Sequence, residues 1–161
     1  MTVLENLLIA RHNRLNTGYL SGILHSRAYR ASERAAKERA ATWLDTFELR
    51  AFANHEAGSL AYGQQRRLEI ARCMMTEPRV LILDEPAAGL NPQETAALVT
   101  LIETLRDRHG ISVLLIEHDM SLIMRVSEHI MVMEYGRPIA YGSPDDIRNN
   151  PEVVRAYLGE S

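Results

Sequence analysis

Two adjacent carboxylates, Asp84 and Glu85, follow a run of aliphatic residues from Val80 to Leu83. Such a run is typical of a buried β-strand, so the carboxylates are expected at its carboxyl end. One of them could hold Mg²⁺ while the other orients or deprotonates a water molecule. Two exposed acids that begin a loop would give the same pattern, so the pair alone does not decide between these interpretations.

A glycine turn before a predicted helix over residues 64 to 75 forms a second candidate site. Glycine lets the backbone approach an anion closely, and the unpaired N–H groups of a helix start attract negative charge. Contact with a phosphate is one interpretation, and an ordinary turn before an amphipathic helix is the other. The residues of this turn are Leu60, Ala61, Tyr62, Gly63 and Gln64.

His118 lies just after a second strand, Ser112 to Ile116, which is also predicted to be buried. An imidazole at that position can form a hydrogen bond with a phosphate and with an attacking water. A single histidine after a strand is more often a structural polar contact. A metal site formed by Glu117, His118 and Asp119 is disfavoured, because successive strand residues point to opposite faces.

Composition narrows the class of protein. The 161 residues, 46% of them hydrophobic, suffice for one ordinary domain with a core. A net charge of −3 gives no electrostatic support for nucleic-acid binding. The lone cysteine, Cys73, cannot form an internal disulfide, and the longest apolar runs have the length of strands rather than membrane spans. Any membrane association is therefore expected through a partner.

The first third of the chain is predicted to be helical. Thr2 and Glu5 form a capping box, so a helix should start near residue 3. Residues 13 to 31 show no clear period and are predicted to form a loop. Ser32 is predicted to cap a helix that ends at Phe47. Its apolar stripe consists of Ala36, Ala40, Trp43, Leu44 and Phe47.

From residue 58 onward, strands alternate with helices, which predicts an α/β fold with a mostly parallel sheet. The strand over residues 79 to 83 is expected to be central and buried on both faces. Asn91 should cap a long helix that ends near Gly110, with an apolar face formed by Leu98, Leu101, Ile102 and Leu105. Further strands are predicted at residues 112 to 116, 130 to 133 and 139 to 141. Short helices are predicted to start at Asp119, Ser143 and Asn150.

Together these motifs resemble those of the ATP-binding subunits of ABC transporters. The strand that ends at Asp84 and Glu85 resembles a Walker B motif, and the turn at Gly63 resembles the signature motif Leu-Ser-Gly-Gly-Gln. His118 resembles the family's switch histidine in its position after the second strand. Gly89 and Asn91 fall in the D-loop. The resemblance rests on the order and spacing of all four motifs. Ala61 and Tyr62 replace the usual Ser and Gly, Asn91 replaces an Asp, and Tyr62 is a candidate for the missing hydroxyl.

The resemblance implies a P-loop NTPase core, a mostly parallel sheet with flanking helices, preceded by a helical subdomain. The expected limits are 1–57 for the helical subdomain, 58–142 for the nucleotide-binding part and 143–161 for C-terminal helices. It also implies that Asp84 helps to hold Mg²⁺, that Glu85 polarises water, and that His118 contacts the γ-phosphate of the chain's own ATP. The signature turn would close over the ATP of a partner subunit.

The finer resemblance is to the ATPases of branched-chain amino-acid importers, carried by Met1 to Leu7, Leu60 to Gly63 and Asn149 to Gly159. It implies a second ATPase subunit, identical or different, together with transmembrane permease subunits and, indirectly, a substrate-binding protein. No nucleic-acid partner is expected. The implied location is the cytoplasmic face of the inner or plasma membrane, peripheral through the permease subunits.

The 161 residues contain no Gly-x-x-x-x-Gly-Lys-Ser/Thr loop, and the single lysine, Lys37, lies in a predicted helix without glycine. In the family this Walker A loop and the Q-loop lie upstream of the segment that matches Met1. The chain is therefore expected to be incomplete at its N-terminus, inactive alone and prone to aggregate along an open apolar sheet edge. Alternatives are a non-catalytic remnant that pairs with an intact subunit and a non-transport ABC ATPase, although no heptad repeats favour the latter.

Overall fold

The computed structural model describes residues 1–12 and 27–158. Contacts divide the chain into two compact units. Unit 1 comprises Met1–Leu81 and Ala88–Leu114, and unit 2 comprises Ile82–Ala87 and Leu115–Ser161. The limits expected at residues 57 and 142 remain a prediction. Most of the predicted loop over residues 13 to 31 lies outside the described residues.

Unit 1 opens with helix α1, Val3–His12. Its start is the predicted capping box: the Thr2 N–H donates to Glu5 Oε2 at 2.8 Å, and the Glu5 N–H donates to Thr2 Oγ1 at 3.2 Å. Two orphan N–H groups at the helix start are thereby satisfied. Val3 and Leu7 are fully buried, which anchors this helix in the core of the unit.

Helix α2, Arg27–Thr46, begins earlier than predicted. Ser32 lies inside it, so the predicted N-cap at Ser32 is wrong. The preceding residues are mostly Ala and Arg, which are good helix formers, and adding a residue to an existing helix costs little. The predicted stripe is confirmed at four positions that are buried, while Trp43 is only partly buried. The buried residues are Ala36, Ala40, Leu44 and Phe47.

Helix α3, Tyr62–Met74, and helix α4, Pro92–His109, complete the helices of unit 1. Two short 3₁₀ turns, Arg50–Phe52 and Ala57–Ser59, precede α3. Helix α4 ends at Gly110, whose φ of 64° is a left-handed cap. Its predicted apolar face is confirmed, since Leu98, Leu101, Ile102 and Leu105 are buried.

Strands β1, Val80–Asp84, and β2, Ser112–Ile116, form a two-stranded sheet, and each contributes residues to both units. In unit 1 the Ser112 N–H donates to the Arg79 carbonyl at 3.0 Å. In unit 2 the Glu85 N–H donates to the Ile116 carbonyl at 2.9 Å. Both bonds advance in the same direction along the two strands, so the pair is parallel.

The predicted burial of β1 on both faces is wrong. Leu81 is 4% exposed, whereas Val80 is 58% and Ile82 is 63% exposed. Successive strand residues point to opposite faces, and among the described residues only one face of this sheet is covered. The central position predicted for β1 is also not found, because in the described ranges β1 pairs with β2 alone. Leu114 and Ile116 of β2 are likewise exposed, so its predicted burial is wrong as well.

Unit 2 contains helix α5, Met120–Val126, and a hairpin of strands β3, Ile130–Glu134, and β4, Arg137–Gly142. The hairpin is antiparallel, and both turn residues, Tyr135 and Gly136, have positive φ. Helices α6, Pro144–Arg148, and α7, Pro151–Val153, follow, and a π turn, Val154–Leu158, comes last. A core cluster of the unit is formed by Ile130, Val132, Ile147 and Val153.

The predicted caps of the unit 2 helices are confirmed. The side chains of Asp119, Ser143 and Asn150 each accept hydrogen bonds from N–H groups of the helix that follows. The Ser143 hydroxyl and N–H both donate to Asp146, which lowers the pKa of that carboxyl. In the described ranges, no helix combines the length and apolar character needed to cross a bilayer.

Exposed aliphatic side chains on the sheet predict aggregation of the chain. Changing Ile82→Thr together with Ile116→Thr removes apolar surface from the exposed face while keeping β-branched residues. Light scattering during refolding should fall relative to the parent chain. In contrast, Leu83→Thr alters a buried residue of the same strand and should destabilise the chain by about 2 kcal/mol or more. Unchanged scattering in the double variant would contradict this explanation.

Candidate active site

The loop after β1 holds Glu85 in an unusual backbone conformation. Its φ is 44°, in the left-handed region that non-glycine residues seldom adopt. Such a conformation costs about 1 to 3 kcal/mol and persists only where the surrounding structure enforces it. Here the Glu85 N–H is bound to the Ile116 carbonyl of β2 at 2.9 Å. The loop is therefore held at the point where the two parallel strands end.

Glu85 and His118 lie side by side in unit 2. The distance between His118 Nδ1 and Glu85 Oε1 is 3.4 Å. The His118 side chain is 72% exposed and that of Glu85 is 56% exposed, so solvent reaches both of them. An exposed pair of this kind contributes little to stability. The structure thus brings together two of the residues predicted for catalysis, and a ligand can reach them.

Asp84 ends β1 beside this pair and is exposed. Within the described part of the chain, no hydrogen bond or ion pair engages its carboxylate. An accessible, unengaged carboxylate fits Mg²⁺, which takes one or two protein carboxylates and keeps several waters. Among the described residues no three His, Cys, Asp or Glu side chains converge on one point. Such an ion would therefore depend on Asp84 and on ligands from water or phosphate.

Glu117 is a residue whose role the sequence analysis missed. Its Oε1 accepts a hydrogen bond from the Ala87 N–H at 2.9 Å, and its side chain is only 1% exposed. The residue as a whole is partly exposed because its main chain is accessible, so the side-chain value describes the carboxylate better. The sequence signal available was an acid at the end of a strand, directly before a candidate histidine.

In unit 1, two glutamines close the turn that contains Gly63. The Ala61 N–H donates to Gln64 Oε1 at 3.1 Å, and the Gln65 amide donates to the Leu60 carbonyl at 2.8 Å. Ala61 has no side-chain acceptor for the N–H groups at the start of α3. The Ala61 carbonyl accepts from the Gln64 and Gln65 N–H groups at 2.9 and 3.0 Å. Among the described residues the Tyr62 and Gly63 N–H groups have no partner, which is the condition for binding an anion.

The Tyr62 hydroxyl ties this turn to the loop before α4. It donates to the Ala88 carbonyl at 3.1 Å and accepts from Arg66 Nε and Nη2 at 3.0 and 2.8 Å. Its one donor and two acceptor positions are all used, so it offers no free hydroxyl for a phosphate in this conformation. Arg66 also donates from Nη1 to Glu69 Oε2 at 2.9 Å. This hydrogen bond, and after it those to Tyr62, raise the pKa of Arg66.

An added side chain at Gly63 or Gly89 would crowd a neighbouring side chain. A Cβ on Gly63 would lie 2.5 Å from Glu94 Oε1. Gly89 has a φ of 77°, and a Cβ there would lie 3.1 Å from the Tyr62 ring. Asn91 is the N-cap of α4, and its Oδ1 accepts from the N–H groups of Gln93 and Glu94 at 3.0 and 2.9 Å. The cap predicted at Asn91 is confirmed.

Two protein-family models match segments of this chain. Residues 1–88 match a family model described as ABC transporter, and residues 137–161 match one described as branched-chain amino acid ATP-binding cassette transporter. The first match covers more than half of the chain. The chain therefore belongs to the ABC transporter family, in its ATP-binding cassette, as the motifs predicted.

Similar proteins narrow the comparison further. The chain is 60% identical to the high-affinity branched-chain amino acid transport ATP-binding protein BraF of Pseudomonas aeruginosa and 56% identical to LivG of Escherichia coli. Both alignments cover 100% of this chain and 63% of the relative. The chain thus spans less than two thirds of the length of these relatives.

Solved structures of the same class support the fold. An ATP-binding cassette of an ABC transporter in its ADP conformation matches with a TM-score of 0.77 and 29% identity. That match covers 99% of this chain and 63% of the other. The α/β fold of a P-loop NTPase, predicted from the motifs, is confirmed. The antiparallel β3–β4 hairpin accompanies the parallel pair.

Removing the Tyr62 hydroxyl tests the link between the turn and the following loop. Tyr62→Phe keeps the ring but loses the hydrogen bonds to Ala88 and Arg66, so unfolding should become easier by about 0.5 to 1.5 kcal/mol. The measurement is urea unfolding, with amide exchange at Gly89 as a local readout. Tyr141→Phe is the matched control, because no hydrogen bond engages the Tyr141 hydroxyl in the described ranges. Equal effects of the two variants would contradict the link.

Proposed function

We propose that this chain is the part of an ABC importer ATPase that supplies the metal-side and water-side residues for ATP hydrolysis. The observation that supports this most directly is the 3.4 Å approach of Glu85 Oε1 and His118 Nδ1. They stand at the carboxyl ends of two parallel strands, beside the exposed Asp84. Ligand sites in open α/β sheets lie at that edge.

Each of the three residues has a chemical role in this proposal. Asp84 holds Mg²⁺, which when bound neutralises charge on the transferred phosphate. Glu85 orients the attacking water and accepts its proton. His118 donates a hydrogen bond to the γ-phosphate from one ring nitrogen. When the imidazole carries its second proton, Nδ1–H faces Glu85 Oε1 and keeps that carboxylate directed at the water. The exposure of Glu85 and His118 leaves room for the nucleotide.

The turn from Leu60 to Gln64 acts on the nucleotide of a second ATPase subunit. Its free N–H groups at the start of α3 suit a phosphate, and Gly63 lets the backbone approach it. The Tyr62 link to Ala88 makes the turn and the D-loop around Gly89 and Asn91 move together. Closure of two such subunits, identical or different, over two ATP molecules would drive the permease subunits.

Branched-chain amino acids are the proposed cargo. The support is the 60% and 56% identity to BraF and LivG, whose names state this transport, and the family match at residues 137–161. The proposed location is the cytoplasmic face of the membrane, peripheral through the permease subunits. A substrate-binding protein would deliver the amino acid to those subunits.

ATP hydrolysis in this proposal needs a Walker A loop from outside the 161 residues. Lys37 does not supply its lysine, because it forms an exposed ion pair with Glu33 at 2.9 Å within α2. The chain alone should therefore be inactive. The lack of a Walker A loop within the 161 residues also favours a second candidate function. In it, the chain is a non-catalytic partner that completes the site of an intact subunit through the turn at Gly63.

The test of Glu85 uses a hybrid protein in which this chain follows a segment with the Walker A loop of another family member. Glu85→Gln keeps the size of the side chain but removes its basicity. ATP turnover should fall by roughly 100-fold or more while ATP binding is retained. The measurements are phosphate release and nucleotide binding at equilibrium.

Glu134→Gln is the control, since Glu134 also lies exposed at the end of a strand in unit 2. It should leave turnover unchanged. Retained hydrolysis in Glu85→Gln would overturn the role proposed for Glu85. A hybrid that binds ATP but never hydrolyses it would favour the non-catalytic function instead.

A further inference from the structure

The Glu117 carboxylate is nearly fully buried, although the proposed reaction makes no use of it. Its side chain is 1% exposed, while that of the adjacent His118 is 72% exposed. Burying a carboxylate is costly unless hydrogen bonds satisfy its oxygens. Both of its oxygens do have partners, and those partners lie on the two segments that carry Glu85 and His118.

The first oxygen holds the loop that follows Glu85. Pro86 has no N–H, so Ala87 provides the next backbone donor along the chain. That N–H donates to Glu117 Oε1 at 2.9 Å, and the Glu85 N–H donates to the Ile116 carbonyl at 2.9 Å. Ile116, the last residue of β2, and Glu117, which follows it, therefore bind the loop on either side of Pro86.

This double attachment accounts for the conformation of Glu85. A φ of 44° is unfavourable for glutamate and needs support from its surroundings. A hydrogen bond from a backbone N–H to an ionised carboxylate is stronger than one to a neutral acceptor. Without it, the loop would be bound to the end of β2, within the described ranges, through the Glu85 N–H alone, and Glu85 could relax to an ordinary backbone conformation.

The second oxygen faces the histidine. Glu117 Oε2 accepts from the His118 N–H at 3.3 Å and lies 3.9 Å from His118 Nδ1. The same Nδ1 lies 3.4 Å from Glu85 Oε1. One buried carboxylate thus contacts both segments whose side chains meet at the candidate active site.

We propose that Glu117 is a positioning residue that sets the distance and orientation between Glu85 and His118. Its side chain is buried, and it acts by fixing the loop at Ala87 and the backbone of His118. This inference rests on the proposed function, because it assigns a role in the same hydrolysis. In this proposal Ala87 contributes its backbone N–H, which binds Glu117, rather than its side chain.

The test compares Glu117→Leu with Glu117→Gln in the hybrid protein. The two replacements are close in size, but only glutamine keeps an oxygen that can accept from the Ala87 N–H. With leucine, kcat should fall by about 10-fold or more while KM for ATP stays within about twofold, since the phosphate cradle is unaffected. With glutamine, kcat should stay within about threefold of the parent. Activity is expressed per nucleotide-binding site, so loss of folded protein is corrected for.

Amide exchange at Ala87 gives a readout that does not depend on turnover. It should accelerate in Glu117→Leu and remain close to the parent rate in Glu117→Gln. Leucine and glutamine variants with equal kcat values, or a leucine variant with the kcat of an active parent, would overturn the positioning role alone. If the parent hybrid does not hydrolyse ATP, the proposed function and this inference both fail.

Discussion

Parallel hydrogen bonding between β1 and β2 is the interaction on which the candidate active site depends. Parallel strands end at the same edge of a sheet, so the residues that follow each strand come together there. The Glu85 N–H donates to the Ile116 carbonyl at this edge, and Glu85 and His118 then meet at 3.4 Å. An antiparallel pairing would place them at opposite ends. The chemistry proposed for this chain therefore follows from strand direction before any individual side chain is considered.

The same sheet carries the candidate active site at the ends of its strands and leaves one of its faces exposed. Leu81 is buried, whereas Val80 and Ile82 of β1 and Leu114 of β2 are exposed. A face with this many exposed aliphatic residues is unusual for a stable folded sheet and favours association.

Local signals made part of the structure predictable. Asn91 and Glu94 lie close together in the sequence, so their capping box could be recognised, and the turn at Gly63 was equally local. Ser32 is not a cap, because the Ala and Arg residues before it extend the helix back to Arg27. The two-face burial of β1 was wrong because burial depends on residues distant in sequence. Glu117 was missed for the same reason, since its partner Ala87 lies 30 positions away.

The central claim is that this chain supplies the residues for metal and water but not the cradle for the phosphates. Equilibrium titration with Mg-ATP, performed on the 161-residue chain and on the hybrid protein, tests it most directly. The account predicts saturable binding at micromolar Mg-ATP by the hybrid and none in that range by the chain alone. Micromolar binding by the chain alone would contradict it.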